Sequence, residues 1–179
     1  VYFVIDTNSL EKPALFPGSF SVTVSGVIYV SLTINFFYWI RRDFGLLWLY
    51  LLFAVVFLGD TGAFLIGKRF GRHKMTPIAS PNKTWEGAIG GIIWAVAGGW
   101  LARTILLPGF PALEVMALSA LVHAGAQVAD PLESLFKRAA GVKDSSNLIP
   151  GHGGILDRID SFTLACPLFY YLMKLLIIK

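Results

Sequence analysis

Four aspartates stand where a strongly apolar chain gives way to polar segments: Asp60, Asp130, Asp157 and Asp160. A fifth, Asp144, lies within the second polar segment. An ionisable group at membrane depth is energetically costly and usually marks a functional site. Mg²⁺ prefers oxygen ligands and takes one or two carboxylates while substrate phosphates complete its shell. The Lys and Arg residues of the same segments could neutralise the phosphate charge that a metal does not reach. The sequence therefore predicts a magnesium and polyphosphate site.

Each aspartate also has a structural explanation. The segment Asp130–Glu133 is typical of a helix start, with Asp130 as N-cap and a proline at the first helical position. Asp157 and Asp160 share one face in the first turn of a predicted helix and could complement its dipole. A buried neutral carboxyl group or a proton relay is the alternative for Asp60. The sequence leaves these alternatives open.

A glycine-rich turn, Pro150–Gly154, enters the last apolar stretch. Its backbone N–H groups could approach an anion closely, or it could be a plain tight turn. His152 within it could be a general base, a phosphate donor or an ordinary loop histidine. Lys83 precedes a predicted helix start and could hold a phosphate. His123, inside an apolar stretch, is predicted to be a satisfied hydrogen-bonding group between helices.

Composition excludes several classes of protein. Of the 179 residues, 55% are hydrophobic and only 15% are charged, and the mean hydropathy is +0.66. A disordered tail, a collagenous repeat and an ordinary cytosolic domain are excluded. The single cysteine, Cys166, rules out a disulfide framework and a thiolate zinc site. The net charge of +4 is modest and says little about nucleic acid, because a polytopic membrane protein gathers basic residues at its inner face. We expect no nucleic-acid partner.

A membrane-spanning helix needs about 20 mostly apolar residues, and about five stretches qualify. They are Phe20–Ile40, Phe44–Ile66, Ala88–Leu107, Ala112–Ala129 and Ile159–Ile178. The predicted fold class is all-α, a polytopic integral membrane protein with two cytoplasmic polar segments. These segments, Gly67–Gly87 and Asp130–Arg158, are rich in Lys and Arg, as the positive-inside rule requires. Arg41 and Arg42 conflict with that topology.

The chain begins at Val1, so we expect a fragment of a longer protein. Residues 1–50 are interpreted as N-terminal hydrophobic spans of a truncated chain, and residues 51–179 as a membrane-embedded catalytic region. The third stretch carries small residues at four-residue spacing: Gly87, Gly91, Ala95 and Gly99. This stripe predicts close helix packing and would permit a homodimer.

The spacing of several motifs resembles the phosphatidate cytidylyltransferases, also called CDP-diacylglycerol synthases. The resemblance rests on Ser134-Leu-Phe-Lys137-Arg138, on Lys143-Asp144 and on the run from Pro150 to Asp160. A second block, Gly59–Ala63 with Gly67-Lys68 and Ser80–Gly87, is similar to the same family. Two departures, Ala129-Asp130-Pro131 and Lys143-Asp144-Ser145-Ser146, alter loop geometry and remove no charge.

The resemblance implies an enzyme of a bacterial inner membrane, facing the cytoplasm, that joins CTP to phosphatidate. On this basis Asp130 and Asp157 would bind Mg²⁺, with Asp144 and Asp60 as further ligands and a second metal ion as an alternative. The other residues expected to act in catalysis are Asp160, Lys137, Lys143 and His152. Those expected to bind substrate are Lys83, Ser134, Arg138, Arg158, Gly153 and Gly154. A CTP-dependent lipid kinase and an ion-coupled transporter are the alternative functions.

Overall fold

The computed structural model describes residues 16–76, 80–139 and 156–177. These residues form five α-helices, a two-stranded hairpin and a short π-helical segment. The elements are α1 (Phe16–Asp43), α2 (Leu46–Phe70), β1 (Lys74–Thr76), β2 (Ser80–Thr84), α3 (Trp85–Leu106), α4 (Ala112–Ala139), α5 (Leu156–Leu172) and the π-helical Met173–Ile177. The all-α prediction is confirmed for the bulk of the described chain.

Three of these helices are long and apolar enough to cross a membrane. They are α2, α3 and the part of α4 from Ala112 to Leu132. Large apolar side chains such as Ile93, Ile105 and Leu113 are exposed on them, as expected of surfaces that face lipid. The predicted number of five spans is not confirmed. Helix α5 has 17 residues with Pro167 inside it.

Helices α2 and α3 pack closely because small residues line their contact. A Cβ atom added to Gly62 would overlap the Trp94 side chain, and one added to Gly90 would lie 2.7 Å from Ile66. The predicted stripe on α3 is buried along its length, and at Gly99 it meets Ser119 of α4. Close packing is therefore confirmed, but the stripe is occupied within the chain and offers no face to a homodimer.

Helix α4 runs without interruption through Pro131. The interpretation of Asp130 as the N-cap of a new helix is therefore wrong. Proline is tolerated inside membrane helices when other groups satisfy the backbone that it leaves unpaired. The consequence is that Asp130 projects from the side of a continuous helix instead of ending one.

A two-stranded hairpin follows α2 and is not among the elements predicted from the sequence. Its strands are antiparallel and pair Lys74 with Thr84 and Thr76 with Ser80. Glu86, in the first turn of α3, accepts hydrogen bonds from the backbone N–H groups of Arg72 (3.1 Å) and His73 (3.2 Å). This carboxylate therefore fixes the hairpin against the N-terminus of α3.

The other end of the bundle is aromatic. Trp48 packs edge-on against Phe110 with ring centroids 4.7 Å apart, and Tyr170 contacts Phe36 and Phe44. The Tyr170 hydroxyl donates to Asp43 Oδ2 at 2.7 Å, which joins the end of α1 to the end of α5. The short link after α3 is closed by the Arg103 guanidinium, which donates to the carbonyl oxygens of Pro108 and Phe110.

Candidate active site

Four helices and the hairpin enclose a cavity of about 660 Å³. Helix α2 lines it with residues three or four apart, from Asp60 to Lys68, because one face of a helix repeats at that spacing. Gly71, the C-cap of α2, continues this lining. Charged residues from every side except α3 reach it: Asp60, Lys68, Lys74, Lys83, Asp130 and Asp160. The cavity therefore brings together acids and bases that are far apart in the chain.

The hydroxyl of Ser161 links two of these carboxylates. Ser161 Oγ lies 2.9 Å from Asp130 Oδ1 and 3.2 Å from Asp60 Oδ2. A hydroxyl carries one proton and donates it to one carboxylate at a time. The hydroxyl therefore satisfies only one of the two carboxyl groups at a time, and a cation bound at the same place would interact with both.

Among the residues whose side chains the structure describes, Lys83 is the cation paired with these acids. Its ammonium group forms an ion pair with Asp130 Oδ2 and donates to the backbone oxygen of Gln127 at 3.4 Å. The next residue, Thr84, is the N-cap of α3, and its hydroxyl accepts from the Gly87 N–H at 3.2 Å. The helix cap thus sets the position of the strand that carries Lys83.

Asp160 enters the cavity from the first turns of α5. Its carboxylate accepts from the backbone N–H of Ser161 at 2.7 Å, and its carbonyl oxygen accepts from Thr163 Oγ1 at 2.5 Å. These local bonds hold Asp160 and Ser161 side by side at the cavity wall. A phosphate or a metal aqua ion bound there would meet both.

His123 lies beneath the cavity and is fully buried. Within the described part of the chain, neither ring nitrogen has a hydrogen-bond partner, so the prediction of a satisfied group between helices is not confirmed. Glycines make room for the ring, because a Cβ atom at Gly59 would overlap it and one at Gly91 would lie 2.7 Å from Nε2. Gln127, one turn further along α4, donates to the Ala88 carbonyl oxygen at 2.9 Å.

Comparison with known proteins places this chain in a family. Residues 1–176 match the profile described as the cytidylyltransferase family. The chain belongs to that family. It is 37% identical to the phosphatidate cytidylyltransferase of Bacillus subtilis over 150 aligned residues. The aligned region covers 83% of this chain and 56% of that protein.

Two further bacterial relatives carry the same name. The phosphatidate cytidylyltransferase of Haemophilus influenzae is 44% identical over 131 residues, 71% of this chain and 46% of that protein. The one from Staphylococcus aureus is 41% identical over 147 residues, 82% of this chain and 56% of that protein. The chain thus spans about half the length of the cytidylyltransferases that it matches.

Three of the predicted site residues, Asp60, Lys83 and Asp130, share one network, and Asp160 lines the same cavity. Ser134 lies one turn beyond Asp130 on α4 and is half-buried. The backbone is described, without side-chain positions, for Lys137, Arg138, Asp157 and Arg158. The predictions that lie outside the described residues concern Lys143, Asp144, His152, Gly153 and Gly154.

Sequence reasoning missed several residues of this cavity. Ser161 and Gln127 make the central hydrogen bonds. Lys68 and Lys74 line the cavity but were predicted only as members of a basic segment. A signal was present for Gln127, because it lies three residues before Asp130 and therefore on the same helical face. Ser161 directly follows Asp160, but an isolated serine carries no such signal.

Asp60 and Asp130 suit Mg²⁺ by their donor chemistry. Within the described ranges, no group of three His, Cys, Asp or Glu side chains is arranged to hold a metal ion. Two carboxylates joined by a hydroxyl are nevertheless sufficient protein ligands for Mg²⁺ when substrate phosphates complete its octahedral shell. The described residues therefore fit a metal that binds together with a nucleotide.

Proposed function

We propose that this protein transfers a cytidylyl group from CTP to phosphatidate, giving CDP-diacylglycerol and pyrophosphate. The observation that carries the proposal is the meeting of Asp60, Asp130 and Lys83 in a cavity beside membrane-spanning helices. The names of the relatives supply the substrates. A lipid phosphate and a nucleotide triphosphate could meet at such a place, because one comes from the bilayer and the other from water.

The reaction needs positioning and charge stabilisation more than a strong base. An oxygen of the phosphatidate monoester, which is anionic at neutral pH, attacks the α-phosphorus of CTP. The bond from that phosphorus to the bridging oxygen breaks, and pyrophosphate leaves with the electron pair. The protein must bring two anions together and stabilise charge on the leaving group.

Among the described residues, the lysines and the aspartates would have different roles in this reaction. Lys83, Lys68 and Lys74 would bind phosphate oxygens, since all three line the cavity. Asp130 and Asp60 would hold Mg²⁺, which when bound neutralises phosphate charge that the lysines do not reach. Ser161 would orient the two carboxylates. The predicted contributions of Asp157, Asp144, Lys143 and His152 belong to the same proposal.

We also propose that the cavity faces the cytoplasm of a bacterial inner membrane. Lys68 and Lys74 line the cavity, and with their chain neighbours Arg69 and Arg72 they form an exposed basic group, as the positive-inside rule expects. Arg41 and Arg42 end α1 at the opposite side of the bundle. The conflict noted in the sequence therefore persists, and the proposed orientation rests on the larger basic group.

The test is a transfer assay with CTP labelled at the α-phosphate, phosphatidate and Mg²⁺, using the purified chain in lipid nanodiscs. Label should enter the organic phase with the wild type and with Asp43→Asn, whose carboxylate lies at the other end of the bundle, but not with Asp130→Asn. Label recovered as CDP would indicate a lipid kinase instead. Ion flux in vesicles without CTP consumption would indicate a transporter and overturn the proposal.

A further inference from the structure

Pro131 changes the hydrogen bonding of the helix that carries Asp130. In an α-helix each backbone N–H donates to the carbonyl oxygen four residues earlier. Proline has no N–H, so the carbonyl oxygen of Gln127 lacks its usual donor although α4 continues to Ala139. Pro131 is itself buried. The Gln127 carbonyl oxygen therefore has no intrahelical donor inside the protein, where an unpaired carbonyl group costs free energy.

Lys83 donates a hydrogen bond to that carbonyl oxygen. Its Nζ lies 3.4 Å from the Gln127 oxygen and is also paired with Asp130. The Gln127 side chain points elsewhere and donates to Ala88 of α3. Gln127 thus ties α4 to α3 through its amide and to strand β2 through the carbonyl that the proline leaves unpaired.

We propose that Pro131 is a positioning residue for Lys83. Pro131 leaves the Gln127 carbonyl oxygen available as a neutral hydrogen-bond acceptor, which we call the backbone anchor. This anchor keeps the Lys83 ammonium group at the cavity when a cation binds Asp130. An ammonium group has three N–H donors, so Lys83 can stay bonded to the Gln127 oxygen and still donate to a phosphate. The role rests on the proposed function, in which Lys83 binds a phosphate of CTP.

The first experiment measures the hydrogen bond to the Gln127 carbonyl directly and does not depend on enzymatic activity. Gln127 is the single glutamine in the sequence, so cell-free synthesis with carbonyl-¹³C glutamine labels one backbone position. The isotope-edited infrared band of this carbonyl should move to higher wavenumber in Lys83→Met. It should stay in place in Lys68→Met, which removes a lysine of the cavity wall that does not bond to Gln127. An unchanged band in Lys83→Met would overturn the proposal, whether or not any Pro131 variant folds.

The second experiment restores the missing N–H. Pro131→Ala and Pro131→Leu differ in side-chain size but return the same backbone donor to Gln127. Both should raise KM for CTP by about three- to tenfold, the range of one ordinary hydrogen bond, with kcat changed less than about twofold. Pro167→Ala, the matched proline inside α5, should leave KM unchanged.

The two experiments separate this proposal from the proposed function. In both Pro131 variants the labelled carbonyl should also become insensitive to Lys83→Met, because an intrahelical donor now occupies it. A fall in kcat with KM unchanged would assign Pro131 a general structural role and contradict the anchor. Failure of the proposed function would appear as a wild type that does not turn over CTP, and the infrared comparison would then decide the anchor by itself.

Discussion

The two ends of the helix bundle differ in how completely their polar groups are paired. At the aromatic end, Trp48 and Tyr170 pack against other rings, and Asp43 is satisfied by Arg42 and Tyr170. At the cavity end, Asp60 and Asp130 share one hydroxyl, and within the described residues the ring nitrogens of His123 are unpartnered. One end is complete without a ligand, whereas the other gathers polar groups that a ligand could satisfy.

This difference indicates where stability and function reside. Buried polar groups without full partners are costly, so a protein keeps them where they serve a purpose. The aromatic end supplies packing that can offset that cost. Variants at the two ends should therefore affect different measurements.

The largest effect is expected from Asp130→Asn. It removes the charge that pairs with Lys83 and leaves the geometry of α4 intact. Transfer should fall by about a thousandfold, the upper range for loss of one electrostatic contact in an active site, while the far-ultraviolet circular dichroism stays unchanged. Asp43→Asn should retain wild-type transfer. Equal losses in both variants would mean that the two ends are not functionally distinct.

The next effect concerns the aromatic end. Trp48 is 4% exposed, and Trp48→Ala should lower the free energy of unfolding by about 3 kcal/mol, the lower end for truncation of a buried aromatic side chain. Trp100→Ala is the matched control, because Trp100 is 49% exposed and should change stability by about 0.5 kcal/mol or less. Chemical denaturation in mild detergent measures both. A similar loss in both variants would argue against a packed aromatic end.

A smaller effect is expected from Ser161→Ala, which removes the hydroxyl between Asp60 and Asp130. Transfer should fall by about tenfold, because the two carboxylates lose one hydrogen bond that orients them. Ser119→Ala provides the control, since Ser119 is equally buried but donates only within its own helix, to Val115. If both variants kept full activity, Ser161 would not orient the acids.

The smallest effect is a dependence of stability on pH at the aromatic end. The hydrogen bond from Arg42, and then that from Tyr170, lower the pKa of Asp43 below its ordinary value of 3.8. A group with a lowered pKa stabilises the fold above its unfolded pKa and loses that contribution as the pH falls through its folded pKa. The stability difference between wild type and Asp43→Asn should thus be constant above about pH 5 and shrink below 3.8. Thermal unfolding at stepped pH measures it, and a difference that grew on acidification would contradict the assignment.

The helices could be predicted from sequence because long apolar runs between charged segments leave few alternatives in a membrane. The hairpin could not be predicted, since its strands are short and polar and Glu86 holds it by contacts across the fold. Asp130 was predicted to begin a helix, but it lies inside α4. Local start signals favour a cap at Asp130-Pro131, whereas the contact with Lys83 is compatible with a continuous helix.

The acids of the candidate site were predictable because charge is rare in this chain and conspicuous in apolar stretches. The groups that join them were not. Ser161 is neutral, and the Gln127 carbonyl is a backbone atom that any residue carries. Its availability depends on Pro131, four residues later, and a proline that directly follows an aspartate is typical of a helix start.

The position of Asp60 along α2 has a consequence for the bilayer itself. The apolar part of α2 before it, Leu46–Gly59, is about 21 Å long at 1.5 Å per residue, against about 30 Å of hydrocarbon. Water that fills the cavity would therefore reach below the level of the surrounding headgroups and thin the insulating layer locally. A lipid substrate would not need to rise out of the membrane, because the nucleotide could descend to it. The membrane voltage would fall across a shorter distance at this point, so the phosphates in the cavity would sense part of it.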